Sequence, residues 1–323
     1  MEAAVVVTYR CIQKCAMCGI WKHPPAAGEE FEPALLRRLP RLAFANITGG
    51  EPFLRDDIGE IAAILTAKAE RVVVSTNGLL TDRIVDLARR HRRLGFRISL
   101  EGLPEVNDRL RGVPGSFDRG MRTLLALRSL GLRDIGFGIT LSDGNTGDLL
   151  PLYELAKGLR AEFATAAVHN SSYFHASENR FLRPEDAVQA LQALIDRLLR
   201  SRRPKDWLRA YFNRGLIEYI RGAPRLLPCR AGTDIFFLDP AGDIWPCNGT
   251  EPGRGPGRLG NLHRRTFEDI WESVEAEAVR AAVRRCPKNC WMIGTASPAI
   301  KRSPLKPALW VLRRKLGGSR RPA

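Results

Sequence analysis

Along the first two hundred residues, short apolar runs alternate with longer stretches whose hydrophobic positions recur every three to four residues. The runs Val5–Tyr9, Phe44–Thr48, Val72–Ser75, Phe96–Leu100, Ile135–Thr140 and Phe163–Val168 are each followed by a turn or loop, the pattern of strands buried on both faces. Between them, Pro33–Arg41, Asp57–Lys68, Thr81–His91, Ser116–Leu130, Gly147–Leu159 and Pro184–Arg202 carry helical periodicity. Thr81 and Ser116 are expected to cap their helices, and Pro33 and Pro184 suit a first helical turn. Six strand–helix units in strict alternation predict an α/β fold with a parallel sheet, doubly wound or barrel-like; a closed eight-fold barrel needs two further units.

The pattern changes after Arg203. Lys205–Arg221 reads as a bridging helix, and Pro224 and Pro228 then break the chain. Asp234–Leu238 and Asp243–Trp245 flank Asp239-Pro240-Ala241-Gly242, which predicts a hairpin. Glu251–Gly260 reads as a loop and Thr266–Arg285 as a helix. These shifts divide the chain into a core over 1–203, a bridge over 204–227, a small α+β domain over 228–296 and a tail over 297–323.

Composition narrows the class. At 323 residues and 44% hydrophobic, the chain can bury a sizeable core. No apolar run approaches the roughly 20 residues of a membrane-spanning helix. The formal net charge is +16, and residues 301–323 hold eight cations and no acid, half of that total. Leu305, Leu309, Trp310, Leu312 and Leu316 are interleaved with those cations, so 306–316 suits a short amphipathic helix. It can lie on an anionic membrane, dock on the core, or sit in solvent with its Trp anchored. No recognised RNA- or DNA-binding module is visible.

The seven cysteines are sparse for a disulfide scaffold and odd in number. They fall into two groups separated by 210 residues: Cys11, Cys15 and Cys18, then Cys229, Cys247, Cys286 and Cys290. Three thiolates after the first strand, at the carboxyl end of a parallel sheet, can wrap one face of a cubic iron–sulfur cluster and leave a fourth iron open. A structural zinc site is the alternative, with His23 as a fourth ligand.

Cys11-x3-Cys15-x2-Cys18, followed by Thr48-Gly49-Gly50-Glu51-Pro52 at the end of the second strand, resembles the paired signature of the radical S-adenosylmethionine (radical SAM) superfamily. The resemblance covers the first 200 residues and implies a partial (β/α)6 TIM-like barrel. It implies a [4Fe–4S] cluster on Cys11, Cys15 and Cys18 that binds and reductively cleaves S-adenosylmethionine to a 5′-deoxyadenosyl radical. Gly49, Gly50 and Glu51 would grip the cofactor amino group. Asn77, Ser99 and Glu101 would hydrogen-bond its ribose and carboxylate. Arg111 would pair with that carboxylate, and Met17 and backbone at Val168 would meet the adenine.

Cys229, Cys247, Cys286 and Cys290 resemble the twitch/SPASM-like domain that follows some radical SAM cores, which implies one auxiliary [4Fe–4S] cluster with all four irons ligated. Four-cysteine zinc fits the same residues taken alone. His169, Tyr173 and His175 follow strand six at the expected mouth and are candidate substrate contacts. The leading expectation is hydrogen abstraction from a small polar substrate, a sugar or cyclitol, with the auxiliary cluster accepting an electron. The alternatives are a ribosomal peptide maturase and a zinc-binding adaptor. A reductant such as flavodoxin or ferredoxin and a reducing, cytoplasmic location are expected partners of such clusters.

Overall fold

The computed structural model describes residues 1–26, 28–250 and 256–317. Six parallel strands run in sequence order: β1 (Glu2–Val6), β2 (Leu42–Thr48), β3 (Ala69–Thr76), β4 (Gly95–Ser99), β5 (Ile135–Leu141) and β6 (Glu162–Ala167). Helices α1 (Ile58–Lys68), α2 (Thr81–Arg90), α3 (Pro104–Arg111), α4 (Ser116–Ser129), α5 (Leu149–Gly158) and α6 (Pro184–Arg200) supply the crossovers. The segment after β1 makes short 3-10 turns, including Pro33–Arg38. The alternation left doubly wound and barrel-like arrangements open; the arrangement is the partial barrel that the resemblance implied. The strand interiors are close to continuous apolar runs because helices cover one face and barrel side chains the other; Val5, Ile47, Val74, Phe96 and Phe137 are fully buried.

Helix α7 (Pro204–Ile220) bridges to a hairpin of β7 (Ile235–Leu238) and β8 (Asp243–Trp245), with the two-residue β9 (Gly260–Asn261) beside it. β7 pairs parallel with β1, Glu2 opposite Ile235 and Val5 opposite Leu238, so the hairpin extends the barrel sheet past its first strand. The sheet order is β6-β5-β4-β3-β2-β1-β7-β8-β9. Helices α8 (Phe267–Trp271), α9 (Val274–Arg284), α10 (Ile293–Arg302) and α11 (Leu305–Gly317) complete the described residues. No helix among them is long and apolar enough to cross a membrane.

Several expectations are revised. α3 carries only Val106 and Leu110 as large apolar residues among charges, so its periodicity is weak; Pro104 at its start and left-handed Gly112 (φ 65°) at its end are its signals. Thr81 and Ser116 do not cap: each is the first helical residue, and their hydroxyls bond Thr123 and Asp108 instead. Pro33 and Pro184 do start their helices. The expected helix over Thr266–Arg285 is two, because the Ser273 hydroxyl accepts from Ala276 N–H and starts α9 afresh. Of the loop expected over Glu251–Gly260, residues 251–255 lie outside the described residues.

Candidate active site

The first cysteine loop is held at the carboxyl end of β1 by backbone pairing on two sides. On one side it meets the turn after β2: Gly50 N–H donates to Thr8 O (2.7 Å) and Glu51 N–H to Arg10 O (2.8 Å). A Cβ on Gly49 or Gly50 would overlap the carbonyl oxygen of Thr8 or Arg10, so these glycines permit two loops to touch. On the other side the loop rests on the end of α3, with Lys14 N–H donating to Arg111 O (3.1 Å) and Ala16 N–H to Leu110 O (2.8 Å). The helix with weak periodicity is thus half of the clamp.

Beneath the loop lies a buried polar floor. Glu51 is fully buried: Oε1 accepts from the Thr76 hydroxyl (2.7 Å) and Phe53 N–H (3.2 Å), and Oε2 from Asn77 N–H (2.7 Å). Its carboxylate locks the glycine turn to the end of β3. Glu101 Oε1 accepts from Arg111 Nη2 (2.8 Å) and Oε2 from Thr140 N–H (2.6 Å). Arg111 Nη1 reaches Gln13 Oε1 (2.8 Å) and Cys15 Sγ (3.6 Å). Gln13 is a residue the sequence reading missed, since a lone Gln inside a cysteine motif carries no spacing signal. Ser99 ends β4 half-buried.

The thiols are free and partly buried. Burial, reinforced by the neighbouring thiols, pushes Cys11 up to about 11 and Cys18 up to about 12. Cys15 is also raised by burial, against the pull of Arg111. Such thiols stay protonated in the metal-free chain, so loading iron must release protons. Two buried donors in this floor, Asn77 Nδ2 and Arg111 Nε, have no partner among the described residues. A polar ligand with carboxylate or hydroxyl oxygens fits beside them.

The segment after β6 straps across the loop. Phe174 O accepts from Gly19 N–H (2.7 Å), Asn179 Nδ2 donates to Met17 O (3.0 Å), and Tyr173 OH donates to Gly49 O (3.3 Å). Ser172 N–H donates to Thr250 O (2.8 Å), tying the strap to the second domain. Of the three expected substrate residues, Tyr173 and His175 both meet the Tyr9 ring, at 6.0 and 6.3 Å between centroids, and His169 packs on Phe174. Tyr173 sits over the glycine turn. His169 is half-buried beside Phe174, with Nδ1 on Ala167 O (3.3 Å) and a buried Nε2 that has no partner among the described residues. His175 lines an open cavity, where it stacks on His23 at 4.2 Å between ring centroids. Val168 is buried, its carbonyl accepting from Tyr219 OH (3.0 Å).

The second cysteine group is seated on α7. Asn289 Nδ2 donates to Tyr219 O (3.1 Å) and Ala223 O (3.0 Å), and Trp291 Nε1 to Phe212 O (2.9 Å). Cys247 and Cys290 both lie beside Gly249. Burial pushes Cys247 up to about 12, with the charges of Cys290, Cys229 and Cys286 adding to it. Arg225 donates to Cys290 O, approaches Cys290 Sγ at 4.0 Å and stacks over Trp291 at 5.2 Å; its buried Nη2 has no partner among the described residues. Cys247 and Cys290 beside one glycine, with the other two thiols near enough to raise Cys247 and a half-buried Arg225 alongside, suit a cluster of net negative charge.

Residues 5–156 match the family model of the radical SAM superfamily, and residues 229–292 match an iron–sulfur cluster-binding domain, SPASM. The chain is 33% identical over 162 residues to an Fe-coproporphyrin III synthase of Methanosarcina barkeri, covering 46% of this chain and 39% of that protein. It is 29% identical to an AdoMet-dependent heme synthase of the same organism, covering 71% and 68%. It is 28% identical to the mycofactocin maturase MftC of Mycolicibacterium smegmatis, covering 75% and 62%. The fold is similar to that of Streptococcus suis SuiB bound to S-adenosylmethionine, with a TM-score of 0.65 and 15% identity over 87% of this chain and 67% of that one.

The chain belongs to the radical SAM superfamily and carries a C-terminal SPASM-type auxiliary iron–sulfur domain. S-adenosylmethionine and [4Fe–4S] clusters are the cofactors these two domains imply, and the second cysteine group falls within the stretch that matches the iron–sulfur cluster-binding domain.

Proposed function

We propose that this chain is a radical SAM maturase acting on a peptide. Cys11, Cys15 and Cys18 would hold the SAM-binding cluster, and Cys229, Cys247, Cys286 and Cys290 the auxiliary one. Gly49, Gly50, Asn77, Ser99, Arg111, Met17 and Val168 would hold S-adenosylmethionine, with Glu51 and Glu101 fixing the backbone and guanidinium that touch it. When bound, the cofactor pair supplies hydrogen-atom abstraction from an unactivated C–H bond. The chain's own task is to orient the substrate C–H bond and exclude water, which the strap over 169–180 serves. A flavodoxin or ferredoxin would supply the electron.

The observation that carries the substrate class is the cavity of about 970 Å³ beside the cysteine loop, open to solvent and lined by Tyr9, His23, His175, Glu29, Glu32 and Arg38. It is large for a single sugar ring, and its rim of aromatic, imidazole and carboxylate groups suits a stretch of polypeptide. The maturase among the relatives supports this reading over a sugar or cyclitol, which none of the relatives named above carries in its name. A tetrapyrrole is the second reading, favoured by the two porphyrin-named relatives. The acidic rim disfavours it, because porphyrin carboxylates would meet Glu29 and Glu32.

The test is release of 5′-deoxyadenosine by the anaerobically reconstituted, reduced protein. Stimulation by peptides, with a mass change in the peptide, is the expected result. Stimulation by iron-coproporphyrin or a sugar, and by no peptide, would transfer the assignment to that class.

A further inference from the structure

Helix α11 is docked on the barrel by one face and leaves the opposite face bare. On the docked side, Pro307 and Val311 are buried, Trp310 meets Tyr211 at 5.7 Å between centroids, Arg314 pairs with Asp196 at 2.9 Å, and Lys315 lies 3.9 Å over the Trp207 ring. On the other side stand Leu305, Leu309, Leu312 and Leu316, exposed by 75%, 53%, 53% and 65%. At about 100° per residue these four fall within about 60° of arc, diametrically opposite Pro307, Val311 and Arg314. The docking interface therefore aims the leucine stripe straight away from the protein.

Cations border the stripe. Lys306 and Arg313 flank it on α11, and both are exposed. The turn between α6 and α7, which the Lys315 ammonium reaches through Ser201 O at 3.4 Å, adds exposed Arg200, Arg202 and Arg203. Residues 301–323 contain no acid, and the sequence continues past the described residues with Arg320 and Arg321. A second copy of this face would bring like charges together, which opposes self-association through the stripe. An anionic lipid surface offers apolar depth for the leucines and phosphates for the cations at once.

We propose that α11 is a peripheral docking device that lays its leucine stripe on an anionic membrane surface, with the site loops of the barrel left free. The short stripe makes the attachment reversible and salt-sensitive, because neither four leucines nor the basic rim suffices alone.

The test is co-sedimentation of the reconstituted full-length protein with vesicles of phosphatidylglycerol and phosphatidylcholine, against phosphatidylcholine alone. The expected result is binding to the anionic vesicles only, weakened at least tenfold in high salt. The quadruple variant Leu305→Ser, Leu309→Ser, Leu312→Ser, Leu316→Ser should lose binding while keeping iron content and far-UV spectrum, since none of these side chains touches the docked face. Lys306→Gln with Arg313→Gln should weaken it several-fold. Absence of binding to anionic vesicles overturns the proposal, as does undiminished binding by the leucine variant. A concentration-dependent dimer abolished by the leucine changes would assign the stripe to a second copy instead.

Discussion

Arg111 and Glu101 form a 2.8 Å ion pair inside the protein, with side chains 9% and 4% exposed. The pair joins α3 to the end of β4, and the same guanidinium reaches Gln13 and Cys15 in the cysteine loop. Removing one partner leaves the other charge buried and alone. Arg111→Met should cost about 3–5 kcal/mol in chemical denaturation of the iron-free chain. Adding Glu101→Leu should recover part of that loss; an additive double variant would mean the two residues act independently.

Gly215 lies against Trp291 so closely that a Cβ would overlap the indole ring. Gly215→Ala should push Trp291 off α7, cost about 1–3 kcal/mol as overpacking, and loosen the loop carrying Cys286 and Cys290. Iron retained at the auxiliary site after gel filtration checks this; full retention with an unchanged melting temperature would show that the ring has room to move.

His169 gives the protein a pH dependence. Burial, with the Lys288 charge behind it, pulls its pKa from 6.5 down to about 4, against the hydrogen bond to Ala167 O. Between those values the unfolded chain binds a proton that the folded chain does not. Stability is then full above about pH 6.5, falls as pH drops through the window, and levels off below about 4. His169→Gln should flatten that part of the denaturation-midpoint profile; an identical slope would place the acid sensitivity elsewhere.

The division of the cysteines predicts an iron count. Anaerobic reconstitution should give about eight irons per chain, and the triple change of Cys11, Cys15 and Cys18 to Ala about four, with loss of S-adenosylmethionine cleavage. A count of about four in the unsubstituted protein would mean that one group does not assemble a cluster.

Arg225 stands beside Cys290 with a buried Nη2 that has no partner among the described residues. A nearby positive donor favours the reduced, more negative cluster. In the Cys11, Cys15, Cys18 to Ala background, which isolates the auxiliary site, Arg225→Gln should lower its midpoint potential in a spectroscopic redox titration. An unchanged potential would make Arg225 a packing residue for Trp291.

The two cysteine groups, the glycine turn at 49–50 and the six-fold strand–helix alternation were legible from residue order because each is local. A motif of eight residues or a strand of five carries its own signature in spacing and periodicity. The Asp239–Gly242 hairpin was legible for the same reason.

What the chain order could not show depends on distant segments meeting. Glu51 was expected at the cofactor, yet three donors from 53, 76 and 77 converge on its carboxylate. Gln13 gained its partner from a helix almost one hundred residues away. His169, Tyr173 and His175 looked like one set, but only the fold shows that Tyr173 and His175 share the Tyr9 ring while His169 packs on Phe174.

The tail shows the division most simply. Its leucine spacing and its cations are properties of the sequence, and they determined that 306–316 would be a basic amphipathic helix. Only the packing of Trp310, Val311 and Arg314 on α6 and α7 decided which face is consumed. Because a helix has one stripe opposite any other, that docking is what turns the leucines outward.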